Sequence, residues 1–429
     1  MDTAGQLSLF EPQIQGKNRL RKDSLIEELQ DFSEFGKPTT LAYTETLQRS
    51  GKALRVETYI NEFWTAKQRA AHSLHEISYR ACFKPQLPRF FIERLTRRGD
   101  VVYDPFMGRG TTLLEAALLA RVPIGCDINP LSAILIAPRL HPPTLQQIAR
   151  RLKEINFNDY DEFPEDLLVF YHPKTLEMIC AVKKCLARRA SCKDIDAIDE
   201  WIRMVAVNRL TGHSPGFFSV YTLPPNQAVS IASQRKINDE RKQEPPLRDV
   251  PSIIMRKSRQ LLSDCDKDTR TILGKYSSGA ILLTRSASDT PQIPDQSVHL
   301  VVTSPPFLDV VDYAQDNWLR CWFCGIDPEK VPITIVKRLD VWQTAMTGVF
   351  QELARVLVRG GYVAFEVGEV RGGTLKLEEA VLPCGMAADL KPVLVLINDQ
   401  QFTKTAHCWG VENRSKGTNT NRVVLFQKG

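Results

Sequence analysis

The chain has 429 residues, 43% of them hydrophobic and 25% charged, with a formal net charge of +6. That balance excludes a disordered or fibrous polypeptide, and the length allows one large domain with an insertion, or two domains. No apolar run reaches membrane-span length and MDTAGQLSLFEPQIQGKNRLRKD lacks the order of a secretory signal, so no membrane association is expected; the positive charge suits a polyanionic partner without specifying one.

Residues 1–52 are polar and weakly periodic and read as an N-terminal tail or loosely docked arm, with order beginning near Ala53. The segment PQLPRFFIERLTRRGD gives an amphipathic helix from about Pro88, and VVYD a short strand ending at Asp104. A glycine turn, a helix (TTLLEAALLARV), a strand (PIGCD) and a second turn (INPLS) complete a β-loop-α-β unit, the start of a doubly wound sheet. From Pro142 to Ser278 the alternation stops. Helical patterns (LQQIARRLKEI, LEMICAVKKCLARR, DEWIRMVAV) give way to a loop-rich stretch, LTGHSPGFFSVYTLPPNQAVS, and then to a charged one. Strands resume with AILLTRSAS, VHLVVTS, YVAFEVGEV, VLVLIND and RVVLFQK, with the helix VWQTAMTGVFQELARVL between the second and third. The expected fold is α/β, a doubly wound and mostly parallel Rossmann-like sheet. Its domain is formed by residues 53–141 and 279–429, and residues 142–278 form a largely helical inserted recognition region.

The glycine turn is DPFMGRGTT. Glycines at 108 and 110 let the backbone approach a ligand just before a helix N-terminus, where N–H groups point outward. A Walker A loop needs Gly-Lys-Ser/Thr, and this turn has no lysine. A dinucleotide fingerprint wants a third glycine where Leu113 stands. S-adenosylmethionine needs close backbone approach but no pyrophosphate cradle, and Asp127, closing the second strand in GCDINP, is placed to accept from both ribose hydroxyls. A turn or helix-cap role stays open for both Asp104 and Asp127.

In VHLVVTSPPFLDVVDY an apolar strand stops on two prolines, which remove two N–H donors and stiffen the turn. Carbonyls and side chains are then held at the carboxyl edge of the sheet, where open α/β sheets bind ligands.

DPFMGRGTT followed by CDINP, and then TSPPF after a strand, resemble the cofactor and catalytic motifs of the DNA methyltransferases that modify exocyclic amino groups. The TSPP form is similar to the cytosine-N4 branch; adenine-N6 members more often carry Asp or Asn where Ser304 stands. The resemblance implies S-adenosylmethionine as cofactor, held by Asp104, Phe106, Gly108, Gly110, Thr111, Thr112, Asp127, Ile128 and Asn129. HEISYRACFKPQLPRFFIERL resembles the family segment that closes over the methionine end, which would place Phe83, Lys84 and Pro85 near it. Asp289, after AILLTRSAS, is a candidate contact for the adenine ring, with a turn role as the alternative. The implied catalytic residues are Ser304, Pro305, Pro306 and Phe307, and no metal is implied. Double-stranded DNA is the implied substrate, a companion restriction endonuclease an implied partner, and the cytoplasm of a bacterial or archaeal cell the implied setting. RNA amino-methylation and a DNA-binding module with a decayed methyltransferase fold stand as alternatives.

The chemistry independently needs what TSPPF offers. An exocyclic amino nitrogen is a poor nucleophile because its lone pair is delocalised into the ring. The Pro305 carbonyl and the Ser304 hydroxyl can accept its hydrogens and localise that lone pair for an in-line displacement. In duplex DNA the base must be extruded, and Phe307 offers a ring for it to rest on.

The ten cysteines form no zinc-ribbon spacing. Cys321 and Cys324 make a CxxC in RCWFCGID that reads as a packed helix. Pro383-Cys384 resembles the nucleophile of cytosine-C5 methyltransferases but follows the wrong strand. Asp309 and Asp312 are candidate bases or loop caps; His213, Ser214, Tyr221 and Asn226 are candidate DNA contacts in the insert. Finally, Gln6 to Phe10, QLSLF, resembles the peptide by which bacterial replication and repair proteins dock onto the sliding clamp, with a hydrophobic staple onto the catalytic domain as the alternative.

Overall fold

Val101, Val102, Tyr103 and Asp104 are all buried, as are most residues of the other central strands, so helices must cover the sheet on both faces. The computed structural model describes residues 22–47, 51–65, 71–79, 82–222, 228–306, 313–332, 338–370, 375–399 and 420–429. The first half contains α1 (Lys22–Asp31), β1 (Thr40–Leu47), β2 (Ala53–Asn61), α2 (Gln86–Leu95), β3 (Val101–Asp104), α3 (Thr111–Leu118), β4 (Val122–Asp127) and α4 (Leu131–Leu140). Helices α5 (Leu145–Glu154), α6 (Pro173–Ser191), α7 (Ala197–Val207), α8 (Ile231–Arg241), α9 (Val250–Leu261) and α10 (Lys267–Ser277) follow. The chain then returns to the sheet with β5 (Ile281–Thr284), β6 (Val298–Thr303), α11 (Tyr313–Cys324), α12 (Leu339–Val356) and β7 (Leu357–Val367). A small ladder of β8 (Glu369–Val370) and β9 (Leu375–Lys376) precedes α13 (Leu377–Ala387), β10 (Leu390–Asp399) and β11 (Thr420–Lys428).

The nine-stranded sheet has the order β1-β2-β10-β11-β7-β6-β3-β4-β5. All strands run one way except β1 and β11, which pair antiparallel to their neighbours. This is the doubly wound, mostly parallel α/β architecture expected from the sequence. From β3 the chain winds outward through β4 and β5, then crosses back to β6 and β7 on the other side of β3. The seam between β3 and β6 is therefore the topological switch point, where a crevice opens at the carboxyl ends of the strands.

One face of the sheet is covered by α12 and α13, with Phe350 of α12 stacked on Phe365 of β7 at 4.7 Å between ring centroids. The other carries α1 and α2 over Val102, Leu300 and Val302. Residues 22–47 are an integral part of that layer and not the polar arm expected. Leu25, Leu29 and Phe32 are buried beside Tyr59, Phe63, Phe90 and Phe91, and β1 extends the sheet alongside β2. The tail reading failed because α1 buries only a narrow stripe, and edge strand β1 buries only Thr44. Helix α1 is thus polar in composition although ordered, and β1 leaves Leu41, Tyr43 and Leu47 exposed, so its apolar residues do not mark a buried face.

Helices α5 to α10 lie between α4 and β5 in the chain. They share an apolar cluster with the sheet-flanking ones: Ile148, Leu152, Leu176, Trp201, Val205 and Ile254 pack in one group with Leu113 and Leu114 of α3 and Leu135 and Ile136 of α4. The insertion extends one helical layer instead of enclosing a core of its own.

Candidate active site at the switch point

Strands β3, β4 and β6 end at Asp104, Asp127 and Thr303, side by side at the carboxyl edge. Asp104 Oδ1 accepts from the Phe106 N–H at 3.1 Å and from the Thr303 hydroxyl at 2.6 Å, so one carboxylate oxygen ties both sides of the switch point together. Asp104 Oδ2 is buried with no hydrogen-bond partner. Burial lifts the Asp104 pKa to about 7, against the opposing pull of Thr303 and Phe106.

The glycine turn is built on that base. Met107 N–H donates to the Cys126 carbonyl at 2.9 Å, and Gly108, at φ +48°, turns its N–H onto Asp127 Oδ2 at 2.8 Å. Asp127 Oδ1 accepts from the Asn129 N–H at 2.9 Å. Asp127 is half-buried, and desolvation raises its pKa against the pull of the Asn129 and Gly108 N–H groups. Gly110 precedes α3 at φ +75°, and a Cβ there would lie 2.5 Å from Ile136 Cγ1. Close packing of α4 on the turn thus demands glycine. The first turn of α3 carries no side-chain cap, and Thr112 uses its hydroxyl to donate to the Val302 carbonyl at 3.1 Å, fastening α3 to β6.

Arg109 reaches the other way. Its guanidinium donates to the carbonyls of Ile77 at 3.0 Å and Phe83 at 3.3 Å, lacing the segment before α2 onto the turn. Phe83, Lys84 and Pro85 are thereby held near the turn; Lys84 has its pKa lowered by burial and then by Arg109, and Pro85 precedes α2. Tyr79 lies over Gly108, its ring 3.7 Å from where a Cβ would stand, and its hydroxyl accepts from Asn129 Nδ2 at 3.2 Å. Phe106 and Ile128 sit half-buried on the same edge, and Thr111 accepts from Arg109 Nε at 3.0 Å.

Beyond Thr303, Ser304 is half-buried, Pro305 buried and Pro306 exposed. Trp342 Nε1 donates to the Pro306 carbonyl at 3.0 Å, so α12 fixes the far end of the double proline. In the neighbouring strand Glu366, a buried carboxyl near the end of β7 that accepts from Asn421 Nδ2 of β11 at 3.1 Å, has its pKa raised by burial. Phe307, Asp309, Asp312, Asn226 and Gln6 to Phe10 lie outside the described residues.

Other candidates fall elsewhere. Asp289 follows β5, and its exposed carboxylate is ion-paired with Arg285, whose own N–H donates to the Asp127 carbonyl at 3.0 Å. Cys384 is inside α13 with its thiol against the Ala380 carbonyl at 3.4 Å, in the cluster beneath α12 and away from the crevice. The CxxC lies on α11, where Phe323 and Cys324 pack into the apolar cluster of the insert. Among the described residues no group of three or more His, Cys, Asp or Glu is placed to hold a metal. Thr303, Glu366, Tyr79, Arg109 and Trp342 were not singled out in the sequence; Glu366 alone left a signal, a charge inside the apolar run YVAFEV.

A family model described as DNA methylase matches residues 23–135. The chain is 25% identical over 312 residues to the Type II methyltransferase M.BsoBI of Geobacillus stearothermophilus, covering 64% of this chain and 57% of that one. It is 33% identical over 96 residues to the Type II methyltransferase M.MjaII of Methanocaldococcus jannaschii, covering 22% and 18%. Among solved structures, a TehB-like SAM-dependent methyltransferase from Corynebacterium glutamicum aligns with 80% of this chain and 87% of its own at 9% identity, with a TM-score of 0.28. The chain spans little more than half the length of the first of these curated relatives and less than a fifth of the second.

Proposed function

We propose that this chain is an S-adenosylmethionine-dependent DNA methyltransferase that modifies an exocyclic amino group, the N4 of cytosine. The observation that carries the reading is the Asp104–Thr303 bond, which joins the glycine turn and the double-proline turn into one site at the switch point. The similarity to a DNA methylase family model and to Type II methyltransferases supports DNA as the substrate.

The residues present fit the cofactor. Asp104 Oδ2 is a buried acceptor without a partner, which suits the ammonium of a methionine moiety. Each Asp127 oxygen accepts one backbone N–H and retains a second lone pair for a ribose hydroxyl. At Gly108 a Cβ would stand in ordinary contact with the Tyr79 ring at 3.7 Å and with Cys82 Sγ and the Phe106 carbonyl at 3.9 Å, so the turn passes close beneath Tyr79. Phe106, Gly110, Thr111, Thr112, Ile128 and Asn129 complete the cradle, Phe83, Lys84 and Pro85 border it, and Asp289 stands at its outer rim. When bound, S-adenosylmethionine supplies an electrophilic methyl group on a sulfonium.

Ser304 and the Pro305 carbonyl accept the hydrogens of the target amino group and concentrate its lone pair toward the methyl carbon. Trp342 occupies the Pro306 carbonyl, which leaves the turn one fixed orientation. Phe307 stacks on the extruded base, transfer is direct, and no covalent enzyme intermediate forms. Serine where adenine-N6 enzymes more often carry Asp or Asn supports cytosine. A sliding clamp bound through Gln6 to Phe10 and a companion restriction endonuclease are the further partners of this reading, in a bacterial or archaeal cytoplasm.

The test is incubation of the purified chain with radiolabelled S-adenosylmethionine and unmethylated phage DNA or total RNA, followed by mass spectrometry of the nucleosides. N4-methylcytosine in DNA is the expected product. N6-methyladenine would move the base assignment, and label confined to RNA would replace the substrate class.

A further inference from the structure

Arg209, Arg248, Arg256 and Lys257 gather where the loop after α7 meets α9, and none of them has an ion-pair partner among the described residues. Arg209 is 8% exposed and Lys257 7%. Arg209 Nε donates to the Asn208 carbonyl at 2.7 Å, and its guanidinium carbon stands 4.0 Å over the Phe217 ring. Arg256 Nη2 donates to the Pro215 carbonyl at 2.8 Å, so the two arginines clasp one loop between them. Ser214 is spent inside that loop, its hydroxyl accepting from the Gly216 N–H at 3.3 Å. Lys257 Nζ donates to Gln260 Oε1 at 2.9 Å, and the Gln260 amide donates to Glu76, which holds that carboxylate at one remove. Arg248 Nε is buried with no hydrogen-bond partner.

Like charges drawn together and partly removed from water are costly, and carbonyl partners satisfy their hydrogen bonds without neutralising them. Burial and then Arg256 and Arg320 lower the Arg209 pKa to about 10, and burial and then Arg209 lower that of Lys257 to about 8. An anion would relieve both. The two Nη groups of Arg209 make no hydrogen bond among the described residues, and a planar fork of open N–H groups beside a second arginine matches the oxygens of a phosphate. The place also matters. Ser78 N–H donates to Asn208 Oδ1 at 2.9 Å, the Ser78 carbonyl accepts from Arg320 Nη2 at 3.2 Å, and the next residue, Tyr79, lies over Gly108. The cluster therefore adjoins the segment that covers the glycine turn.

We infer that Arg209, Arg256 and Lys257 form a phosphate-binding site that holds one backbone phosphate of the DNA substrate beside the crevice. Phe217 backs the Arg209 fork and fixes its plane, while Arg256 and Lys257 supply charge from successive positions of α9. The identity of the ligand rests on the DNA reading proposed above. A phosphate contact sets the register of the duplex against the crevice and carries no base sequence. It is made by side chains that the amino-methyl transfer itself does not use.

Arg256→Gln changes an exposed side chain and is the first variant to measure. Binding of fluorescent, unmethylated duplex fragments of phage DNA to the intact chain is followed by anisotropy across salt concentrations. Affinity is expected to fall about threefold to tenfold, alike for unrelated sequences, and the slope of log affinity against log salt to shrink by about one. S-adenosylmethionine affinity and the thermal midpoint should stay close to wild type. Arg259→Gln removes the same charge from an exposed position of α9 outside the cluster and should change the slope less. Equal effects of the two variants would overturn the site, since only overall charge would then be at work. Arg209→Lys keeps the charge and loses the fork, so its affinity should also fall; wild-type affinity in the folded variant would overturn the role of the fork. Weakened binding of RNA by Arg256→Gln with duplex DNA binding untouched would overturn the ligand. Absence of methyl transfer by the wild-type chain, with the Arg256 dependence of DNA binding intact, would instead refute the proposed reaction and uphold the phosphate site.

Discussion

Thr303 Oγ donates to Asp104 Oδ1 at 2.6 Å, and this bond spans the place where the sheet reverses its winding. Only Val102 and Tyr103 of β3 pair in register with β6, at Leu300 and Val301, so side chains must close the seam near its carboxyl end. Thr303→Val keeps the shape and removes the donor. The expected cost is about 1–3 kcal/mol of stability, with weaker S-adenosylmethionine binding as the glycine turn loosens. Urea unfolding and calorimetric titration measure the two; an unchanged midpoint together with unchanged affinity would show that the seam closes without it.

Asp104 also makes stability depend on pH. Its pKa rises from the ordinary 3.8 to about 7 in the folded chain, so folding favours the protonated carboxyl. The contribution is fully present below about pH 4 and is lost as pH climbs toward 7. Asp104→Asn is expected to flatten that part of the stability profile and, at pH 8, to unfold at higher denaturant than wild type. An ammonium placed on Oδ2 favours the ionised form, so cofactor binding near pH 6 should release a proton. Titration in buffers of different ionisation enthalpy reads that proton, and its persistence in Asp104→Asn would assign it elsewhere.

Asp127→Ala removes the acceptor of the Gly108 and Asn129 N–H groups as well as the proposed ribose partner. Cofactor affinity should fall tenfold or more, on the order of 1.5–3 kcal/mol. Calorimetry on folded protein decides it. Undiminished binding would return Asp127 to a purely structural role in the turn.

Gly110→Ala should be among the least tolerated changes in the turn, because it combines φ +75° with a Cβ 2.5 Å from Ile136. A loss of about 1–3 kcal/mol is expected from the overpacking. Shortening Ile136 to alanine in the same chain should recover the packing part of the loss and leave the backbone strain. Thermal melts of the single and double variants separate the two.

The QLSLF segment is tested by interferometry against the host sliding clamp, comparing the intact chain with Leu9→Ala and Phe10→Ala together. Docking predicts modest affinity, since ordering a peptide costs roughly 1–2 kcal/mol per residue, and that affinity should vanish in the variant. Loss of thermal stability without clamp binding would favour a staple onto the catalytic domain.

The β-loop-α-β unit was legible because β3 and β4 are short apolar runs, each ending at an aspartate, with glycines between them. The end of β6 was legible because proline cannot donate to a ladder. Helix α1 was not, because what orders it is held by Phe63, Phe90 and Phe91, distant residues against which Leu25, Leu29 and Phe32 pack, and strand β1 was not, because it is ordered by pairing with β2 while burying only Thr44. Asp289 showed its spacing after a strand but not its ion pair with Arg285.

By itself the sequence determined the local chemistry: where the strands stop, which turns need glycine or proline, and which acceptors stand at those turns. These follow from backbone sterics and from donors that are missing whatever the surroundings. Tertiary structure alone decided which of those groups share a site. Thr303 is 199 residues from Asp104, Glu366 lies on a strand formed after another helix, and Asn421 on the last strand of all. Their meeting depends on sheet order and register, which are set by the burial of whole faces and not by any local run of residues.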